Sequence, residues 1–388
     1  MSTALQLNAA EQALGISLPH RRMEDWRWTD LRARINWDYK PFTYHAPTKA
    51  VGEILSLSPF HKIAKARIAF VDGELSQDHC NFVGLEVVPF VEQAKSTDPI
   101  IVMNAAMKPQ KIALKFSGNV AVLTEIIHIT TSPSKQAIGV HKTIEVVDGA
   151  SASIVESFWG FDRNLVNSVT EFYVGKNARL DRLKFQDQDV TDTHLAHTIW
   201  NLSEGSRLND VTVTRGAQLS RENGTCNFNG QNAEAKISGA YLLKGKQHAD
   251  TCLTINHLVP HCTSRELFKC VMDDNARGIF QGKVIVAKDA QKTDGKQSSH
   301  ALLLSESAEF DAKPELEIYA DDVVCGHGAT AGDLNHDHLF YLKSRGIPEA
   351  EAKSLLISAF VGEAFDMVAN DDVREALVGL AQEWVTGK

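Results

Sequence analysis

From about residue 100 to residue 333 the chain is one long succession of short apolar or alternating runs separated by turn residues. Ile112–Phe116, Val120–Ile129, Lys142–Val147, Ile154–Phe158, Val169–Val174 and Arg179–Phe185 open the series. Leu208–Val213, Ile237–Leu243, Cys252–Ile255, Glu266–Met272, Lys283–Ala287, Ala301–Leu304 and Glu315–Tyr319 continue it. Gly149, Gly160, Gly175, Gly205, Gly216, Gly239, Gly245 and Gly282 punctuate the runs. Such runs predict strands. Strands recurring every ~8–12 residues suit a sandwich, a barrel or a solenoid. A sandwich closes within about 100 residues, and this pattern continues for more than twice that. A stack of strand coils, each touching only its neighbours, accounts for the length. No exact short repeat marks the coils, so the mainly β stack is inferred from strand density.

The flanks differ. Residues 1–100 read as a mixed, partly helical region. It has a helical stretch at Ala4–Leu14, an aromatic and charged segment from Glu24 to Leu31, and a strand at Ala66–Val71 ending in an Asp72-Gly73 turn. Trp26 and Trp28 are expected to anchor this region to the core. Residues 101–333 form the strand stack. Helical spacing returns over residues 334–388. Ile347-Pro348 marks a helix start, since proline suits the first turn. Ala352, Leu355, Leu356, Ala359 and Phe360 then share one face. After Asn370-Asp371-Asp372, which can cap the next helix, Val373, Ala376, Leu377, Leu380, Ala381 and Trp384 repeat the pattern. Such helices either cover an open end of the stack or meet a partner, and the need to cover solenoid ends favours capping.

Composition narrows the function. A net charge of -9 without clustered Lys and Arg argues against nucleic-acid binding. No stretch reaches the roughly 18 apolar residues of a membrane span. Met1–Asn8 lacks the pattern of a secretory signal. The six cysteines are scattered without a CxxC pair, which argues against a disulfide framework and for a reduced, cytoplasmic setting.

The stretch richest in chemistry runs from Asp321 to Gly332. If it lies on a strand, Cys325 and His327 are two apart and share a face. Thiolate and imidazole both bind zinc, iron or a nascent cluster. They supply only two of the four ligands a tetrahedral site needs, and His336 and His338 lie past a turn. The remaining ligands would come from another chain. The plainer reading is a Gly-rich turn with Cys325 packed as a small hydrophobe and His327 as a wall residue. The glycines do not match a dinucleotide fingerprint, and Gly239 to Gln247 does not match a phosphate-binding loop. His257, His261 and Cys262 form a second cluster, but Pro260 breaks its strand geometry, so a structural role is favoured. Cys226 and Cys252 read as packing residues. No nucleophile triad or carboxylate pair follows from spacing.

Several ordered motifs resemble the SufB/SufD family of iron–sulfur cluster assembly scaffolds. They are Cys325–Gly332, Leu339–Leu342 and Ser344–Ile347, with His257–Ser264, Gly278–Lys283, Gln291–Asp294 and Trp26–Leu31. The resemblance implies a right-handed parallel β-helix flanked by a helical N-terminal region and C-terminal helices. It implies a SufB-like partner and a SufC-like ABC ATPase, with a transient iron–sulfur cluster built where the two scaffold subunits meet. It makes His327 the candidate ligand with Cys325 beside it. It turns Asp333–Phe365 from a cap into the ATPase-docking element, with Leu339, Phe340, Tyr341, Arg345, Gly346, Leu355, Leu356 and Phe360 as contact residues. Reduced flavin belongs to the family complex, with no site assignable on this chain, and the sequence leaves open whether the chain forms a homodimer without partners. Two departures place the chain nearer the SufD type. The SufB type has His-Glu-Ala-Thr where this chain has His327-Gly328-Ala329-Thr330, and a cysteine near the place of Ala308. A non-catalytic subunit follows. Two other readings remain: a β-helical enzyme acting on polysaccharide, and a mononuclear zinc protein using Cys325, His327, His257 or His261.

Overall fold

In the computed structural model, which describes residues 9–35, 40–41, 50–91, 96–119, 121–131, 135–160 and 163–387, the chain alternates between two long sheets. One sheet runs through Gln110–Phe116, Gln136–Val146, Leu165–Val174, Thr193–Leu202, Leu219–Phe228, His248–His257, Arg277–Val286 and Glu309–Ile318. The other runs through Ala66–Val71, Leu123–Thr130, Ser151–Gly160, Arg179–Gln188, Arg207–Thr214, Glu234–Leu243, Thr263–Met272, Asp294–Leu303 and Val324–Gly332. Strands of successive coils pair in parallel, which makes this a parallel β-solenoid, as the strand density predicts.

The coil length varies. Thr193 pairs with Leu219, 26 residues on, whereas Arg277 pairs with Glu309, 32 residues on. The strands keep their length while the turns change theirs, so no exact repeat survives in the sequence. Most strands are ten residues long, longer than the apolar runs that announce them. Thr193–Leu202 and Leu219–Phe228 are among the strands that fall where no run was expected. Leu219–Phe228 reads Leu-Ser-Arg-Glu-Asn-Gly-Thr-Cys-Asn-Phe, and its polar residues are nonetheless mostly buried. Val120 and residues 4–8, which belong to predicted elements, lie outside the described residues.

Alternation divides each strand's side chains between a lumen and an outer face. Leu180, Leu208, Ala235, Phe228 and Ile255 fill the lumen. Not every glycine sits in a turn, as the sequence reading had it. Gly239 lies inside a strand, where a Cβ would come within 2.4 Å of Phe268 Cε1.

Both outer faces are covered. Leu18, Trp26, Leu31, Ile35, Ile100 and Met103 pack on Ala137, Leu165, Leu195 and Leu219 of the first sheet. Trp26 is 2% exposed, and the Arg221 guanidinium lies 4.3 Å from its ring centre. Trp28 is only half-buried, so Trp26 is the anchor. On the second sheet, Ile357, Val361, Ala364, Phe365, Leu377 and Trp384 pack against Ile127, Val155, Leu183, Val211, Leu242 and Val271.

This corrects two expectations. The C-terminal helices Glu349–Phe365 and Asp371–Thr386 lie on a sheet face and leave the end of the stack open. The buried stripe of the first is Ala352, Ile357, Val361, Ala364 and Phe365, and Leu355 is 43% exposed. Two apolar stripes satisfy the same helical spacing. The sheet takes the one bearing Ser354, Ser358 and Ala364, whose small side chains allow close approach. Asn370 caps the last helix as predicted, accepting from the Val373 N–H at 3.0 Å.

Candidate functional site

Among the described residues the terminal strand Val324–Gly332 pairs on one side only, with Asp294–Leu303. Cys325 is in register with Gly295 and His327 with Gln297. Gly295 and Gln297 are buried and alternate with the exposed Lys296, so they face the lumen. Cys325 and His327 therefore share the lumen side of the last coil, as their spacing predicts. Cys325 is half-buried against the core, and burial pushes its thiol up. His327 is exposed. Beside them Val324 is 63% and Tyr319 64% exposed. Among the described residues no three His, Cys, Asp or Glu side chains are grouped so as to hold a metal ion. A cation held by the pair has two protein ligands and needs more from outside.

The second cluster is taken apart by the fold. His257 ends a strand inside the lumen, with Nε2 3.1 Å from Ser264 Oγ and its ring stacked on Phe228 at 4.4 Å. Burial lowers its pKa to about 4. His261 sits in the following turn with φ of 62°, and Cys262 is buried. A structural role follows. His336 and His338 open the helix His336–Ser344, exposed, where Asn335 caps their turn.

That helix carries the predicted docking residues. Phe340 is 74% and Tyr341 56% exposed, with Arg345 stacked 5.1 Å from the Tyr341 ring centre. Leu339 is half-buried, and Gly346 ends the helix region with φ of 85°. The helix stands beside a cavity of about 630 Å³ lined by Leu303, Leu304, Leu339, Ile357 and Trp384. On the next helix Leu356 and Phe360 are half-buried, and Lys269 Nζ lies 4.7 Å from the Phe360 ring centre. The docking set thus divides into an outward group, Phe340, Tyr341, Arg345 and Leu355, and residues partly spent on the body.

Sequence reasoning missed the lumen beneath the pair. In register below His327 lie Gln297, Glu266, Ile237, Asp210 and Arg182. Deep in the stack the charges are paired. Arg182 donates to Glu156 at 2.7 Å and to Asp210 at 3.0 Å, and Lys142 Nζ lies 3.0 Å from Glu156. Lys184 pairs with Glu222. Lys142 and Arg182 hold the Glu156 carboxyl well below the usual carboxylate range. Glu266 has no such partner, and burial pushes its pKa up to about 8. Charged residues of opposite sign recurring at the coil spacing, such as Glu156, Arg182 and Asp210, were the available signal. Among the described residues no helix is long and apolar enough to cross a membrane.

The family model for the SUF system FeS cluster assembly, SufBD core domain, matches residues 128–360. The iron-sulfur cluster assembly protein SufD of Escherichia coli is 29% identical over 95% of this chain and 89% of its own length. An iron-sulfur cluster assembly SufBD family protein of Synechocystis is 29% identical over 93% of this chain and 86% of its own. One from Mycobacterium leprae is 30% identical over 68% of this chain and 69% of its own.

Proposed function

The chain belongs to the SufB/SufD family of iron–sulfur cluster assembly proteins, on its SufD side, and on that premise we propose that it is a non-catalytic scaffold subunit whose open last coil forms half of a cluster-building site. The observation that supports this is the pair Cys325 and His327 on a strand with a bare edge and, among the described residues, no third ligand group beside it. A SufB-like subunit set against that edge supplies the missing ligands. The cluster is cargo, held in transit and passed on. His327 is the ligand more open to it, and Cys325 adds a thiol once deprotonated. Flavin is not assigned to any residue of this chain.

The exposed group Phe340, Tyr341, Arg345 and Leu355 is the docking face for a SufC-like ABC ATPase. Aromatic residues and arginine are what buried anchors of protein interfaces are made of. The chemistry of ATP hydrolysis belongs to that partner, and the assembly operates in the cytoplasm. Co-expression with both partners and pull-down on this chain tests the reading. Both are expected to co-purify. Phe340→Asp is expected to lose the ATPase alone, and His327→Ala to keep both partners while lowering cluster yield several-fold. Recovery of the chain alone, or full cluster yield from His327→Ala, refutes it.

A further inference from the structure

The lumen treats buried charge in two ways. Glu156, Asp210 and Glu222 are matched by Lys142, Arg182 and Lys184. Nearer the open end Glu266 is 3% exposed, and neither of its carboxylate oxygens has a hydrogen-bond partner among the described residues. The Ser264 hydroxyl, on the same face, is engaged with His257. Arg265 turns outward and binds Asp294 at 2.5 Å. Above Glu266 stands Gln297, 1% exposed, whose Nε2 donates to the Gly282 carbonyl at 3.3 Å and whose Oε1 has no partner among the described residues. Above Gln297 stands His327.

The titratable groups around Glu266 do not balance it. Burial pushes the Cys226 and Cys325 thiols up, and an ionised Glu266 adds to both shifts, so neither thiol offsets its charge. Arg265 and Ser264 favour its ionised form by less than burial opposes it. An acid so placed stays neutral at pH 7. Nothing in the paired chemistry deeper down requires it. A hydrophobic residue, like Ile237 one coil below, would fill the position without a buried polar group.

We propose that Glu266 is the charge-compensating group of the open coil: it gives its proton to solvent when a cation is held at Cys325 and His327, and takes it back when the cation leaves. The step breaks one carboxylic O–H bond, sends the proton to buffer and moves no electrons. It rests on the proposed role of Cys325 and His327. In register, the coil bearing Gln297 lies between Glu266 and His327. Two strand spacings put it about 10 Å from His327. A divalent charge at that distance, at the effective dielectric of a partly buried site, lowers the pKa by roughly two units. From about 8, that takes the acid from mostly neutral to mostly ionised at pH 7.

The test uses the purified complex with its scaffold partner and Co²⁺ as the probe. Calorimetric titration at pH 7 in two buffers of different ionisation enthalpy counts protons released per ion. The wild type is expected to release about 0.8 proton more than Glu266→Gln and to bind about ten-fold more tightly, both following from the two-unit shift. Urea unfolding of Glu266→Gln, expected at or above the wild-type midpoint, separates this from loss of fold. Equal proton release and affinity in the two proteins, with His327→Ala losing Co²⁺, overturns the inference and leaves the ligand assignment standing. Unchanged Co²⁺ binding by His327→Ala removes the ligand assignment, and the inference with it.

Discussion

Replacing Arg182 by methionine isolates what the paired charges of the lumen contribute. The Arg182 side chain is 1% exposed and donates to Glu156 from Nε at 3.2 Å and Nη2 at 2.7 Å. It also donates from Nη1 to both oxygens of Asp210, at 3.2 and 3.0 Å. Methionine keeps most of the volume, so the loss is electrostatic and not a cavity. Glu156 still has Lys142 at 3.0 Å and His128 at 3.2 Å. Among the described residues Asp210 keeps the Trp200 indole N–H, at 3.1 Å, as its side-chain donor. Removing one partner of a buried pair costs about 3–5 kcal/mol, because a charge is left buried without compensation. Solenoid coils are coupled mainly to their neighbours, so the loss should be local. Native-state hydrogen exchange should show strands Arg179–Gln188 and Arg207–Thr214 opening about 3–5 kcal/mol more easily, while strands near Thr263–Met272 change little. Arg182→Met with Asp210→Asn should recover most of that loss, since the amide carries no charge. A single-variant loss below about 1 kcal/mol, or a double variant as weak as the single, would refute the view that pairing holds this part of the lumen.

Two further outcomes follow from burial. Folded Glu266 holds its proton to about pH 8, whereas its ordinary value is 4.5, so the folded chain binds the extra proton between those limits and stability falls as pH rises through them. A shift of ~3.5 units sets a ceiling of ~5 kcal/mol on that loss; urea unfolding at pH 5 and pH 8 should show a much smaller decline for Glu266→Gln, and equal declines would refute the assignment. Trp26→Ala should destabilise the N-terminal segment by about 3–5 kcal/mol and open Arg21, Arg22 and Arg27 to trypsin before the solenoid is cut; cleavage at the wild-type rate would show that Trp26 is not the anchor.

The parts legible in the sequence were those governed by local pattern. Ala66–Val71, the Asn370 cap and the stripe of Asp371–Thr386 needed no knowledge of the fold. The strand stack was legible from its density, because a chain cannot place that many short strands in one sandwich. Coil boundaries were not, because inward-facing Arg182, Lys184 and Glu222 interrupt the apolar runs, and their burial depends on partners 26 to 38 residues away. The helix face at Ala352–Phe365 failed for a related reason. Two stripes were equally good, and the outer face of the second sheet chose between them. Cys325 and His327 were placed on one face by strand spacing alone. Glu266 was invisible as a site because only register reveals that it lies beneath them.

The open coil ends in two edges, and they are built differently. The first sheet's edge strand, Glu309–Ile318, carries Asp311, Lys313, Glu315 and Glu317 and contains Pro314, which has no N–H to offer a neighbouring strand. Arg277 binds Asp311 at 2.6 Å and Lys283 binds Glu317 at 3.1 Å, so these charges are tied down at the rim. Charge and proline are the usual defences of an exposed edge. The second sheet's edge strand, Val324–Gly332, reads Val-Cys-Gly-His-Gly-Ala-Thr-Ala-Gly, with no acidic or lysine side chain and no proline. An added Cβ on any of its three glycines meets no atom within 4 Å, so the face of the strand that they occupy is uncovered there. A chain that protects one edge and leaves the other bare admits a second backbone on that side only. The bare strand is the one bearing Cys325 and His327, so the proposed partner, by covering that edge, would bring its own side chains to the pair.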